Sequence, residues 1–255
     1  MIRSLYTAVS GMITLENKQN TISNNMANAN TTGYKAEDLA IKSFDEVLIQ
    51  NKDKIVGGRN VTNKLGTISL GAEIDSVITK YTQGDIKQTE SITDFAIDGR
   101  GFFGVQVGDN ILYTRDGSFK INNAGYLVTT TGDNVLGVDN NGNMAPIFVG
   151  NDSEFYIDEN NNIFVNGQSN QKLLTADFQN YDTLDKVGDN YYTGENPIYN
   201  AVVNVHQSYL ESSNVNITEE MVNMMTVMRN YESVQKVLTM IDESMGIAAT
   251  KVGRV

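Results

Sequence analysis

The sequence predicts an α+β fold: N- and C-terminal helices paired as a coiled-coil-like domain, with a central all-β domain inserted between them. Three observations predict it. Residues 5 to 29 carry a seam stepped 3, 4, 3, 4: Leu5, Ala8, Met12, Leu15, Gln19, Ile22, Met26 and Ala29, with Gln19 the one polar break. Residues 217 to 245 repeat that spacing with Ile217, Met221, Met224, Met228, Tyr231, Gln235, Leu238, Asp242 and Met245. Between the two seams the period falls to 2 and turn residues recur. Apolar residues at heptad spacing make a narrow helical stripe suited to burial against another helix. A chain with such a stripe at each end folds back and pairs its ends, an architecture of assembly before one of catalysis.

The N-terminal segment, residues 1–33, holds the first helix, expected from about Ser4 to about Asn28. Asn30-Thr31-Thr32-Gly33 ends it, because Gly33 can take a positive φ. At 1.5 Å per residue the helix is roughly 37 Å long. From residue 3 to 33 the only charges are Arg3, Glu16 and Lys18, and Asn, Thr, Ser and Gln fill the off-seam positions. A solvated helix face usually carries charge. Uncharged polar residues suit a face that lies against another protein surface without burying ions. They are weak helix formers, so the isolated segment is expected to be marginal or disordered in water.

Residues 34–66 read as a linker or extended arm. Leu39, Phe44, Val47 and Leu48 continue it as short helix or extended chain, and Gly57-Gly58 and Gly66 mark points of flexure. The central β domain is assigned to residues 67–195. Ile68, Leu70, Ala72 and Ile74 alternate with polar residues as in a half-buried strand. Strand-like pieces follow at Phe95 to Ile97, Phe102 to Val107, Ile111 to Thr114, Ser118 to Ile121 and Tyr126 to Thr129. Asp98-Gly99, Asp109-Asn110, Asp116-Gly117, Asn123-Ala124-Gly125, Asn141-Gly142 and Asn166-Gly167 punctuate them as turns.

Residues 196–255 are assigned to the C-terminal helix, resuming near Val202. Ser208 with Glu211, and Asn216 with Glu219, are cap-like pairs. Glu219 and Glu220 suit a first turn, where the helix dipole is positive. A second stripe of Val227, Val234, Val237, Ile241 and Ala248 runs beside the main seam, as on a helix with more than one helical neighbour.

Composition excludes several classes. A net charge of -12 with pI near 4.5 argues against a nucleic-acid partner, since phosphate binding needs clustered Lys and Arg. The chain has no cysteine, so disulfides, zinc–thiolate sites and thiol catalysis fall together. No stretch approaches the roughly 20 apolar residues of a membrane span, and the amphipathic start has no signal-peptide core. Membrane insertion is not expected, nor is export through a cleaved signal.

Chemical motifs resolve to bland readings. Gly99-Arg100-Gly101-Phe102-Phe103-Gly104 matches G-x-G-x-x-G, but a dinucleotide site needs a helix after it, and Val105-Gln106-Val107 reads as strand. A hairpin is expected there instead. Asp139-Asn140-Asn141-Gly142-Asn143 resembles a calcium loop, yet its glycine is misplaced and Gly150 stands where a bidentate Glu belongs. His206 is the only histidine and is expected as a packed or surface residue on the tail helix. Carboxylate pairs such as Asp152 and Glu154 are of the type a glycosidase uses, though nothing singles them out and an acidic surface explains them adequately. No catalytic, cofactor-binding or metal-binding residue is assigned. Six of the ten methionines lie between Met221 and Met245. Methionine at helical spacing is core filler or an adaptable interface. The two readings merge where the helix core is itself the interface.

These residues resemble a known family. Ser10-Gly11-Met12 and Ile22-Ser23-Asn24-Asn25-Met26-Ala27-Asn28-Ala29-Asn30-Thr31-Thr32-Gly33-Tyr34-Lys35 resemble the N-terminal signature of bacterial flagellar rod and hook proteins. Gly101-Phe102-Phe103 and Tyr113-Thr114-Arg115-Asp116-Gly117-Ser118-Phe119 resemble its central motifs. Leu210-Glu211-Ser212-Ser213-Asn214-Val215-Asn216, Glu219-Glu220-Met221-Val222-Asn223-Met224 and Arg229-Asn230-Tyr231-Glu232 resemble its C-terminal signature. The resemblance implies a structural protein, not an enzyme, in the flagellar basal body outside the cytoplasm. Its implied partners are further copies of itself in a helical tube, other rod proteins and the hook protein, and the flagellar type III export apparatus. The end helices would form the inner tube and the β domain its outer layer.

The residues alone support assembly as well, because a head-to-tail contact that does not close generates an open filament. The expected interface is Leu5, Ala8, Met12, Leu15, Ile22, Met26 and Ala29 with Ile217, Met221, Met224, Met228, Tyr231, Leu238 and Met245. Gln19, Gln235 and Asp242 are register-setting polar breaks. Rival classes are a wall hydrolase using β-domain carboxylates and a monomeric binding module with stable end helices.

Overall fold

A computed structural model describes residues 2–56, 59–139, 142–150, 155–199 and 203–252. It is α+β, with one long helix near each end of the chain and a β-rich middle. The fold divides into two compact units, one of residues 1–26, 37–78 and 217–255, the other of residues 27–36 and 79–216.

The first unit contains helix α1, Ile2–Ala27, four strands and helix α2, Ile217–Val252. Both prolines of the chain lie elsewhere, so nothing interrupts either helix. Several hydroxyls of α1 bond back to its own carbonyls. Thr7 Oγ1 donates to the Arg3 carbonyl, Ser10 Oγ to Thr7, Thr14 Oγ1 to Gly11 and Thr21 Oγ1 to Asn17. Such back-bonding lets a polar helix face meet another surface without charge and without water. Strands β1, Glu37–Ser43, and β4, Ala72–Thr79, pair with each other. Strands β2, Val47–Val56, and β3, Arg59–Ile68, form a second, antiparallel pair. Much of the segment expected as a linker or arm is therefore strand, and Gly57-Gly58 between β2 and β3 lie outside the described residues. Helix α1 is tied to the start of β4: Thr7 Oγ1 also donates to the Leu70 carbonyl at 2.9 Å, and Ser10 Oγ accepts the Ala72 N–H at 3.3 Å.

The second unit is built on one large antiparallel sheet. Its strands run, neighbour by neighbour, Phe155–Ile157, Asn162–Val165, Gln168–Leu173, Asn134–Val138, Phe102–Val107, Asn110–Thr114, Tyr191–Thr193 and Asp185–Gly188. Successive residues on a strand face opposite ways. Phe103 accordingly enters one core with Phe95, Phe119, Leu127, Val135 and Ile163, and Phe102 enters another with Tyr113, Phe178 and Tyr192. The Asn166-Gly167 turn has both residues at positive φ, 51° and 79°, as a tight two-residue hairpin requires.

Two expectations are corrected here. The tail does not resume helix near Val202, a residue outside the described ones. Residues Asn204–Gln207 and Tyr209–Glu211 are strands, paired with Phe95–Asp98 and Ile86–Gln88, and α2 begins only at Ile217. Ser208, at φ 63°, turns the chain between these strands, so Ser208 and Glu211 are no helix cap. Strand pairing with partners more than a hundred residues earlier overrides the local spacing. The Gly99–Gly104 segment is also no hairpin. Phe95–Asp98 pairs with Asn204–Gln207, while Phe102–Val107 pairs with Asn110–Thr114 and Asn134–Val138. Gly101, at φ 131°, takes the chain past Val203, whose side chain would sit 3.0 Å from an added Cβ.

Candidate assembly faces and a buried motif junction

Helix α1 places Leu5, Ala8, Met12, Leu15 and Met26 half-buried and Ile22 buried. Ala29 lies beyond the helix end, in a turn and in the other unit. Tyr6 and Ile13 stand out from the packed side, 67% and 51% exposed.

Helix α2 packs along a rotated stripe. Met224, Val227, Tyr231, Val234, Leu238, Ile241, Met245 and Ala248 are buried or half-buried, again stepped 3 and 4. This stripe merges half of the expected seam with the second one beside it. The other half of the expected seam, Ile217, Met221 and Met228, is exposed, with Met221 at 52% and Met228 at 48%. Val222, Met225, Val237, Met240 and Ile247 are exposed as well. Exposed apolar residues grouped along a helix mark an interaction surface. Both helices also line an open, mainly apolar cleft of about 750 Å³, with Ala8 and Gly11 on α1, Val234, Val237 and Ile241 on α2, and Ile49, Ile68 and Leu70 beside them.

In the second unit three motifs far apart in sequence meet at one buried point. Lys35, Arg115 and Glu211 have side chains 1%, 3% and 0% exposed. Lys35 Nζ is in direct contact with Glu211 Oε1 and donates to the Thr82 carbonyl at 2.9 Å. An Arg115 guanidinium N–H donates to Glu211 Oε2 at 3.1 Å, and the Gly84 N–H donates to Glu211 Oε1 at 2.9 Å. Burial pushes the Lys35 ammonium below the ordinary lysine range, with the Glu211 carboxylate opposing that shift. Around the triad, Asn214 Oδ1 accepts the Ala36 N–H at 2.7 Å and Asn214 Nδ2 donates to the Lys80 carbonyl at 2.7 Å. Thr32 Oγ1 donates to Asp116 Oδ1 at 2.6 Å. Gly33, at φ 64°, lets the chain pass against the Arg115 backbone, where an added Cβ would collide. Sequence reasoning missed this junction. The available signal was one Lys, one Arg and one Glu, each set inside a different motif.

The chemical candidates find no such support. Gly104 lies within a strand, with no helix after the glycine motif. His206 is on strand Asn204–Gln207, not on the tail helix, about half exposed with Asp98 4.0 Å away. Asn140, Asn141, Asp152 and Glu154 lie outside the described residues. Among the described residues no group of three His, Asp or Glu is placed to hold a metal, and no helix is long and apolar enough to cross a membrane.

Comparison with known proteins converges. Residues 5–35 match the family model described as flagella basal body rod protein. Residues 96–165 match the flagellar hook protein FlgE/F/G D1 domain, and residues 206–250 the flagellar basal body rod FlgEFG protein C-terminal region. The chain is 35% identical to flagellar basal-body rod protein FlgG of Buchnera aphidicola subsp. Baizongia pistaciae, over 95% of this chain and 97% of that protein. It is 31% identical to FlgG of Bacillus subtilis over 95% and 96%. It is 33% identical to flagellar basal-body rod protein FlgF of Caulobacter vibrioides over the full length of both.

Proposed function

The chain belongs to the flagellar basal-body rod and hook protein family, and from that premise we propose that it is a structural subunit of the flagellar rod, of the distal type, polymerising helically to transmit motor torque to the hook. The single observation that carries the physical half of this reading is the exposed apolar face of α2, Met221, Met225 and Met228 above all. A monomer gains nothing from that face. A helical array covers it with the next copy, and a heterologous contact that does not close continues indefinitely.

Coiled-coil-like pairing of α1 with α2 belongs to the same proposal. The cleft lined by both helices is then closed on assembly, with Leu5, Ala8, Met12, Leu15 and Ile22 facing the α2 stripe. The partners are other copies, neighbouring rod proteins and the hook. The subunit travels through the flagellar export apparatus and works outside the cytoplasm. No catalytic role is proposed. Immunogold labelling of isolated basal bodies tests the reading: label along the distal rod supports it. A second position, that of a proximal rod protein, keeps the 33% identity to a protein named FlgF in play, and label confined to the proximal rod would select it. Label absent from the axial structure would reject both.

A further inference from the structure

We infer that Lys35, Arg115 and Glu211 form a late-closing clasp, which locks the second unit shut once residue 211 has joined it. Two cations are brought to one buried place by the early and middle parts of the chain, and the carboxylate that pairs with both arrives near the end of the unit. Before it arrives, the other acceptors around them among the described residues are carbonyl oxygens: Thr82 for Lys35, Ile97 and Gly99 for Arg115. Carbonyls solvate cations but do not cancel them, and two like charges brought together out of water repel and lose hydration. Arg115 Nε has no hydrogen-bond partner among the described residues.

Arrival of Glu211 does several things together. Its two carboxylate oxygens take one cation each, and its Oε1 also accepts the Gly84 N–H. Its backbone carbonyl accepts the Gly33 N–H at 2.8 Å, and its strand pairs with Ile86–Gln88. The segments around residues 33–36 and 82–84 are thus ordered by one late residue. The geometry stands by itself; its use, holding a subunit shut once it has folded, rests on the function proposed above.

Stopped-flow folding of the full-length chain tests this, followed by tyrosine fluorescence since the chain has no tryptophan. Three variants suffice: Glu211→Gln, Lys35→Met and the double variant. Glu211→Gln is expected to speed unfolding roughly 100-fold or more while leaving refolding within about twofold, because the contact forms after the transition state. Adding Lys35→Met is expected to recover much of that loss by removing one of the stranded cations. Refolding slowed as much as unfolding is quickened, or losses that simply add, would overturn the clasp. If Glu211→Gln does not fold, the double variant decides: folded supports the clasp, unfolded rejects it. Labelling of basal bodies is independent of these rates, so the two proposals fail separately.

Discussion

Asn25 pairs with the backbone of Glu37 from both ends of its amide: Nδ2 donates to the Glu37 carbonyl at 2.7 Å, and Oδ1 accepts the Glu37 N–H at 3.0 Å. The side chain is 1% exposed and sits on α1, where it serves the first residue of β1 as a neighbouring strand would. The Asn-rich run thus contains a side chain that stands in for main chain. Asn25→Leu is expected to lower the stability of the first unit by about 2–4 kcal/mol, since two backbone groups lose their buried partner. Denaturant titration reads it, and a loss under about 0.5 kcal/mol would mean water replaces the amide.

Two glycines predict opposite signs. Gly33 has φ 64° and no room for a Cβ against Arg115, so Gly33→Ala is expected to cost about 2–4 kcal/mol in the second unit. Gly11 lies inside α1 with nothing within 4 Å of an added Cβ, so Gly11→Ala is expected to stabilise the helix by about 0.5–1 kcal/mol. Thermal melts of the two variants should move in opposite directions.

Alkaline pH is expected to unfold the second unit. Burial raises the hydroxyls of Tyr113, Tyr181 and Tyr191 above the ordinary value of 10.0; the hydrogen bond to Tyr199 adds to it at Tyr113, while Arg100 at Tyr181 and Thr129 and Thr131 at Tyr191 oppose it without reversing it. A group that holds its proton more tightly when folded contributes stability in full below pH 10.0, and that contribution is lost as pH rises through the folded value. Tyrosinate absorbance should therefore appear late and together with loss of structure. Tyr113→Phe should make the alkaline loss of stability shallower. Tyrosines that all titrate near 10.0 without unfolding would contradict this.

The end helices were legible because heptad spacing survives in any packing. Which side of α2 faces inward was not. Methionine stands on both sides, with Met224 and Met245 packed and Met221, Met225 and Met228 exposed, so residue type does not separate core from interface. Val227, Val234 and Ile241 decide the packed side, and they had read only as a second stripe. The strands at Asn204–Gln207 and Tyr209–Glu211 were hidden because their partners are remote, while Ser208 and Glu211 happen to be spaced like a cap. The buried triad was hidden for a related reason. A lone Lys, Arg or Glu normally reads as surface, and only the closed chain brings these three together.

Met228→Asp, carried as the sole copy in the cell, tests the central claim most directly. Met228 is 48% exposed and outside the packed stripe, so the purified variant should keep the denaturation midpoint of the parent chain. Electron microscopy of isolated basal bodies from such cells is predicted to show rods that stop where this subunit would begin, without hooks. Complete rods bearing hooks, built from the charged variant, would contradict an assembly through the exposed face of α2.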